Sequence, residues 1–344
     1  MKTLVITGGH HTSALEVARL FRQEGWRIYW FGHRQSMWGD TSDSAEYREV
    51  TAAGIKFYDL KAGKFYRTYN PIKLIRIPIG FLQSLLLLLL LRPDGIVSFG
   101  GYLAVPVVIT GWLLGIPAIT HEQIVSAGVA NRLISFFVKK IAVTWPSSLA
   151  YYPPHKTVLV GLPLRPDIKP KKIKHSMPLI YITGGKQGSH LINKAIFDIL
   201  PELLKKYKVI HQTGTSTLFN DLEKSQAITN DNYQSFGFDS QKGIQALQEA
   251  DVVVGRAGAH TVYELGVLGK PCVLIPIPWV YHEQEKNAQV LEKGGLATVI
   301  PESKLTGELL LTSIETAHKI KPHSLNLPLD GTRRLLQLIK QQFA

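Results

Sequence analysis

The sequence predicts an α/β protein built of two doubly wound, Rossmann-like domains facing a cleft. Three observations predict it. Short apolar runs alternate with helical patterns along the whole chain, the signature of parallel sheets covered on both faces. A basic, proline-containing stretch, Ile168–His175, interrupts the alternation near mid-chain, and the same rhythm then restarts. The length, 344 residues, exceeds one small core and suits two domains of roughly 150 residues.

The first half offers strands at Leu4–Thr7, Arg27–Phe31, Ile55–Asp59, Gly95–Phe99, Ala118–His121 and Ile141–Thr144, with helical patterns such as Ala14–Gln23 and Ala104–Leu114 between them. The second half offers strands at Leu179–Thr183, Val209–Gln212, Tyr233–Phe236, Val252–Gly255, Cys272–Pro276 and Thr298–Ile300. Its helical patterns cover Leu191–Lys205, Thr261–Leu268, Gln284–Lys293 and Gly331–Gln342. The expected organisation is a first domain over 1–164, a linker over 165–177, a second domain over 178–325, and a terminal helix over 326–344 that packs back on the first domain. In open parallel sheets ligands meet the loops after the strands, so function is expected there.

Composition narrows the class. Hydrophobic residues make up 45% and charged residues 19%, an ordinary globular balance. One cysteine, Cys272, excludes an internal disulfide framework and a cysteine-based zinc site. The net charge of +13 favours an anionic partner, which charge alone leaves open among nucleic acid, anionic lipid and a phosphorylated substrate. No zinc finger or RNP aromatic pair supports nucleic acid. The N-terminal run Leu4–Thr7 is too short for a signal-peptide core and reads as a buried strand.

Four loop motifs follow strands. Thr7-Gly8-Gly9-His10-His11-Thr12-Ser13 opens a helix; its glycines permit close backbone approach, and a histidine there can act as a base near neutral pH. A tight turn capped by Thr12 or Ser13 is the competing reading. Gly184-Gly185-Lys186-Gln187-Gly188-Ser189 suits a diphosphate, with Lys186 adding charge, or is a simple turn into a helix. Gly255-Arg256-Ala257-Gly258-Ala259-His260-Thr261 leads to Glu264, a carboxylate able to accept from a ribose diol; Arg256 contacts a phosphate or belongs to a buried ion pair. His282-Glu283-Gln284 is able to fix sugar hydroxyls or is a solvated helix start.

Taken together these motifs resemble the MurG-type UDP-N-acetylglucosamine transferases of peptidoglycan synthesis, which have the two-domain GT-B fold. The resemblance also rests on Gly100-Gly101-Tyr102, Trp112–Pro117, His121-Glu122-Gln123, Gly161–Arg165 and Asn287-Ala288. It implies inverting transfer from UDP-N-acetylglucosamine to an undecaprenyl-diphosphate-linked N-acetylmuramoyl-pentapeptide, with no cofactor and no obligatory metal. It implies that Glu264 binds the ribose of UDP and that Glu283 and Gln284 hold the sugar. Ala259, His260 and Thr261 sit at the diphosphate; Gly185, Lys186, Gln187, Gly188 and Arg256 line the donor pocket; and Arg165 reaches the donor from the inter-domain side. His10, with Glu122, is the implied catalytic pair, and Gly8, Gly9, His11, Thr12 and Gln123 face the acceptor.

The chain departs from the family pattern at Val5 and Ile6, where glycines are usual, and at Ser13 in place of proline. Ile124 replaces an asparagine and Lys186 a serine. The Thr-Gly-Gly-His-His-Thr loop is also similar to the membrane-bound subunit of the dolichol-linked N-acetylglucosaminyltransferase. Two alternatives therefore stand beside the first reading: the same chemistry on another polyprenyl-diphosphate-linked glycan, and a non-catalytic membrane-associated homologue.

A membrane surface is the remaining expected partner, placing the protein peripherally on the cytoplasmic face. Leu60–Pro93 has no acidic residue and carries Lys61, Lys64, Arg67, Lys73, Arg76 and Arg92 among Phe65, Tyr66, Tyr69 and aliphatic side chains. Arg76, Pro78 and Gly80 interrupt the apolar span Ile72–Leu91, which argues against a crossing helix. The leucine run Leu85–Leu91 is expected to be mostly buried against the sheet.

Overall fold

The strands of the computed structural model form two all-parallel sheets, one in each of two compact units. Residues 1–35, 43–63, 71–171, 173, 175–278 and 282–343 are described, with backbone alone for 71–74. The first unit comprises Met1–Leu164 and the segment from Pro328 onward; the second comprises Arg165–Leu327.

In the first unit the strands are β1 (Thr3–Thr7), β2 (Arg27–Gly32), β3 (Lys56–Asp59), β4 (Gly95–Ser98), β5 (Ala118–Glu122), β6 (Lys140–Val143) and β7 (Thr157–Leu159). Their spatial order is β3-β2-β1-β4-β5-β6-β7. The helices are α1 (His11–Gln23), α2 (Ala45–Ala52), α3 (Pro71–Leu91), α4 (Ala104–Leu113) and α5 (Val129–Ile134). Alternation along β1 explains the two layers of core. Leu4 and Ile6 join the cluster that contains Phe21 of α1, while Val5 joins the opposite cluster with Leu88 of α3 and Val107 of α4.

The second unit repeats the plan with β8 (Leu179–Thr183), β9 (Lys208–Gln212), β10 (Tyr233–Phe236), β11 (Val252–Gly255), β12 (Cys272–Leu274) and β13 (Ala297–Val299), in the order β10-β9-β8-β11-β12-β13. Its helices are α6 (His190–Leu203), α7 (Asp221–Gln226), α8 (Ser240–Glu249), α9 (Ala259–Leu268), α10 (Glu283–Lys293) and α11 (Gly307–His318). The last helix, α12 (Gly331–Phe343), returns to the first unit. Its Leu335, Ile339 and Phe343 enter the cluster of α1, and a side chain at Gly95 would collide with the Phe343 ring.

In both sheets the strand order reverses at the first strand of the unit, between β1 and β4 and between β8 and β11. Crossovers leave in opposite directions there and open a crevice at the carboxyl ends. The glycine motifs follow the strands that flank these switch points.

The leucine run corrects one expectation. Leu88 is buried, but Leu86 is 59% exposed and Leu90 74% exposed. A helix seven leucines long necessarily turns half of them away from the one face it packs. The basic-aromatic residues Lys64, Phe65, Tyr66, Arg67 and Tyr69 lie outside the described residues, as do Lys172 and Lys174 of the mid-chain stretch. Among the described residues no helix is long and apolar enough to cross a membrane.

Candidate active site

Each unit carries a polar edge at the carboxyl end of its sheet. In the first unit β1 ends at Thr7 and the chain turns sharply through Gly8, whose φ is +129°. A side chain at Gly8 would meet the backbone of Phe99 and Gly100 at 2.7 Å, so only glycine fits. The Gly9 amide donates to the Gly100 carbonyl at 3.1 Å, locking the two glycine loops together. His10 occupies the cap position of α1, which leaves Thr12 and Ser13 inside the first turn rather than at the cap. Ser13 donates to the Pro163 carbonyl at 3.4 Å.

His10 is half-buried, and burial holds its pKa below the ordinary 6.5, with the Glu122 charge opposing and His11 reinforcing the shift. It is therefore neutral at pH 7, the form a base requires. His11 points elsewhere: its Nε2 lies 3.4 Å from the Glu49 carboxylate on α2. Glu122 is 2% exposed and accepts from the amides of Ile124 (3.2 Å) and Gly128 (2.9 Å) and from the Tyr152 hydroxyl (2.6 Å). Its oxygens are thus committed to holding the loop after β5, and its charge reaches His10 through space.

Gln123, the next residue, keeps its side chain inside the unit. It is fully enclosed, while its carbonyl accepts from the Trp145 indole at 3.1 Å. His121 is also enclosed, and burial lowers its pKa to about 4. The neutral ring is a hydrogen-bond partner of the Gly161 carbonyl at 3.0 Å.

In the second unit the Gly184–Ser189 loop joins β8 to α6, with Gly185 at φ +85° and Gly188 at +86°. Gly185 and Gln187 are exposed; Lys186 is half-buried, its ammonium 5.7 Å from the Phe238 ring. The half-exposed first turn of α9 brings Ala259, His260 and Thr261 to the same sheet edge. Both helices turn their N-termini, the positive ends of their dipoles, to this edge, a setting that favours an anion.

Arg256 is tied into the scaffold. Its guanidinium donates to the Ile275 carbonyl at 3.0 Å and to Ser189 Oγ at 2.8 Å, and it pairs with Glu302. It binds the start of α6 to the end of β12, which is the ion-pair alternative of the sequence reading.

Glu264 is 8% exposed on α9, and burial raises its pKa to about 7 against the opposing charge of Arg165. Arg165 itself donates to Ser240 at the start of α8. Gln284 Oε1 accepts from the Ile277 amide at 3.1 Å, pinning α10 to the strand-end loop, and Glu283 beside it is exposed. Asn287 donates to the Ala257 carbonyl at 3.2 Å and ties the same helix to the loop before α9. The tryptophan of the intervening loop, Trp279, lies outside the described residues. Among those described, no group of three His, Cys, Asp or Glu side chains is arranged to hold a metal ion.

Sequence reasoning missed Ser240, Tyr152 and the β9-end residues Gln212 and Thr213. None belongs to a glycine motif; Tyr152 reaches the polar edge of the first unit, and the others that of the second, through folding alone. Asp239, which caps α8 by accepting from Gln241 and Lys242, was the available signal for Ser240.

The glycosyltransferase family 28 N-terminal domain model matches residues 5–143 and the C-terminal domain model of the same family matches residues 179–326. The chain belongs to glycosyltransferase family 28. A relative in Clostridium perfringens, a UDP-N-acetylglucosamine--N-acetylmuramyl-(pentapeptide) pyrophosphoryl-undecaprenol N-acetylglucosamine transferase, is 31% identical over 98% of both chains. The crystal structure of Acinetobacter baumannii MurG covers 99% of this family 28 chain at 26% identity and a TM-score of 0.75. The kitacinnamycin glycotransferase, at 14% identity and a TM-score of 0.69, shares the fold. This family 28 glycosyltransferase therefore has the GT-B architecture, with two Rossmann-like domains.

Proposed function

We propose that this glycosyltransferase moves N-acetylglucosamine from UDP-N-acetylglucosamine to undecaprenyl-diphosphate-linked N-acetylmuramoyl-pentapeptide. The likeness to the Clostridium perfringens transferase across 98% of both chains carries the reading. The second unit would hold the donor, with the ribose on Glu264, the diphosphate at the N-termini of α6 and α9, and the sugar at Glu283 and Gln284. Neutral His10 would take the proton of the acceptor hydroxyl as its oxygen attacks the anomeric carbon. The bond to the diphosphate breaks, its electron pair leaves with UDP, and Glu122 steadies the imidazolium so formed.

One observation favours a second reading. Ile124, where the family pattern has asparagine, is 8% exposed and apolar beside Gln123. That change on the acceptor side supports the same chemistry on a different polyprenyl-diphosphate-linked glycan. Turnover on a panel of such acceptors separates the two readings: the first expects the muramoyl-pentapeptide lipid to be the best substrate, the second expects it to be outrun.

The acceptor is a lipid, and the first unit has a surface suited to meeting one. Ile75, Ile79, Leu82, Leu86, Leu89 and Leu90 recur at helical spacing along the open face of α3. Trp112 and Leu113 at the end of α4, and Phe136 just after α5, are also exposed, and α4 packs against both neighbouring helices. With the net charge of +13 this patch supports peripheral attachment to an anionic bilayer, at the cytoplasmic face. Replacing Leu86 and Leu90 with glutamate will reduce co-sedimentation with phosphatidylglycerol vesicles about tenfold or more while leaving UDP binding unchanged. Undiminished sedimentation would rule the patch out.

A further inference from the structure

A layer of polar side chains that includes Gln212 and Asn193 supports the Gly184–Ser189 loop. The segment after β9 runs along this loop in backbone contact. The Thr215 amide and hydroxyl donate to the Lys186 carbonyl at 3.1 and 3.2 Å, and the Ser216 amide donates to the Gln187 carbonyl at 3.2 Å. Two glycines make the approach possible. A side chain at Gly188 would lie 2.0 Å from the Thr213 carbonyl oxygen, and one at Gly214 would lie 2.2 Å from the Gly188 nitrogen.

The consequence is orientational. A peptide unit is planar and trans, so its carbonyl and the following amide point in opposite directions. Drawing the Lys186 carbonyl toward Thr215 turns the Gln187 N–H to the other side, away from the 213–216 segment. The Gln187 carbonyl is drawn the same way, and the Gly188 amide closes the turn on the Gly185 carbonyl at 3.2 Å.

Buried side chains hold this segment and the loop at two further points. Asn193 of α6, 1% exposed, donates to the Thr213 carbonyl at 3.0 Å and to Asp221 at 2.8 Å. Its carbonyl accepts from His211 Nε2 at 3.0 Å, and His211 Nδ1 meets the Tyr233 hydroxyl at 2.9 Å. Asp221 also accepts from His190, the first residue of α6, at 3.0 Å. On the other side Gln212 donates to Thr183 Oγ1 at 2.8 Å and to the Gly185 carbonyl at 3.3 Å, and accepts from the Tyr181 hydroxyl at 3.2 Å. Every hydrogen-bonding group of the Asn193 amide is used, so its orientation is fixed.

We propose that Asn193 and Gln212 are positioning residues that, through the Thr213–Ser216 segment, set the phosphate-loop amides for the donor diphosphate. The inference rests on the donor assignment of the Proposed function and names what makes that loop a diphosphate site rather than a plain turn. Loss of either side chain frees the loop amides, and neither side chain hydrogen-bonds Glu264.

The test is calorimetric binding of UDP and of uridine to the full chain, together with donor kinetics. Asn193→Ala is expected to weaken UDP about tenfold or more, with uridine changed less than about twofold, and to raise the donor KM with kcat little altered. Gln212→Met keeps the volume but removes the donor to Gly185, and is expected to act in the same direction. It carries the test alone if Asn193→Ala does not fold, as judged by its thermal melt. Equal weakening of UDP and uridine, or a fall in kcat at unchanged KM, overturns the positioning role. A wild-type chain that binds no UDP overturns the donor assignment and this inference with it, whereas wild-type binding with unaffected variants overturns this inference alone.

Discussion

Replacing His10 with alanine will lower kcat by roughly 100-fold or more while leaving the KM for UDP-N-acetylglucosamine close to its wild-type value. The expectation follows from where the imidazole sits. It stands at the start of α1, on a turn that Gly8 alone permits, and burial keeps its pKa under 6.5. At pH 7 the ring is neutral and ready to accept a proton. Because the protonated form is inactive, the acid limb of kcat is expected below pH 6.5, with a plateau above it.

Glu122 refines that profile. Its charge raises the His10 pKa, so Glu122→Gln is expected to move the acid limb to still lower pH and to lower kcat, since the imidazolium loses its partner. His11, already against Glu49, is expected to tolerate alanine far better. Unchanged turnover in His10→Ala, measured as UDP release with saturating acceptor, would move the base elsewhere.

Glu264→Ala will raise the donor KM about 100-fold or more with a smaller effect on kcat. The side chain is proposed to accept both ribose hydroxyls, and hydrogen bonds to a charged group contribute roughly 1.5–3 kcal/mol each. The pH dependence gives a sharper signature. Burial lifts the Glu264 pKa to about 7, and the carboxylate is the form that accepts two hydroxyls. UDP affinity is therefore expected to fall as pH drops through about 7, by up to about tenfold per pH unit. Glu264→Gln should bind UDP weakly with a flat profile over the same window, read by calorimetry from pH 5.5 to 8.5.

The same carboxyl has an opposite effect on the unliganded fold. Its folded pKa lies above its unfolded value, 4.5, so its stabilising contribution is fully present below about 4.5 and is lost as pH rises through about 7. UDP is expected to offset that loss, making its stabilisation of the thermal melt larger at pH 8 than at pH 6. A ligand-induced shift that does not change with pH would contradict the ribose assignment.

Much of this fold was legible because parallel strands buried on both faces announce themselves. Leu4-Val5-Ile6 and Val252-Val253-Val254 are unbroken apolar runs, and each ends in the glycines of a site loop. Elements with weaker contrast were not seen. β7 has three half-buried residues, and α8 is a polar segment, Ser240–Glu249, whose start is set by the Asp239 cap. The leucine run was misread because composition cannot say which side of a helix the sheet will cover.

At the site, residue types were readable and their partners were not. Arg256 and Glu264 both fall on motifs, yet one is bound to Ser189, Ile275 and Glu302 while the other is nearly enclosed with a raised pKa. The glycine loops marked the place proposed for the diphosphate. What orients the second loop, Asn193 and the turn at Gly214, comes from β9 and α6 and shares no local pattern with it.

The central claim is tested most directly by incubating the purified chain with labelled UDP-N-acetylglucosamine and undecaprenyl-diphosphate-N-acetylmuramoyl-pentapeptide in anionic vesicles, then isolating the lipid product. The expected result is a β-linked N-acetylglucosaminyl-muramoyl lipid formed with one UDP released per transfer. Label that remains on the nucleotide, or appears on this lipid in α-linkage, would contradict it.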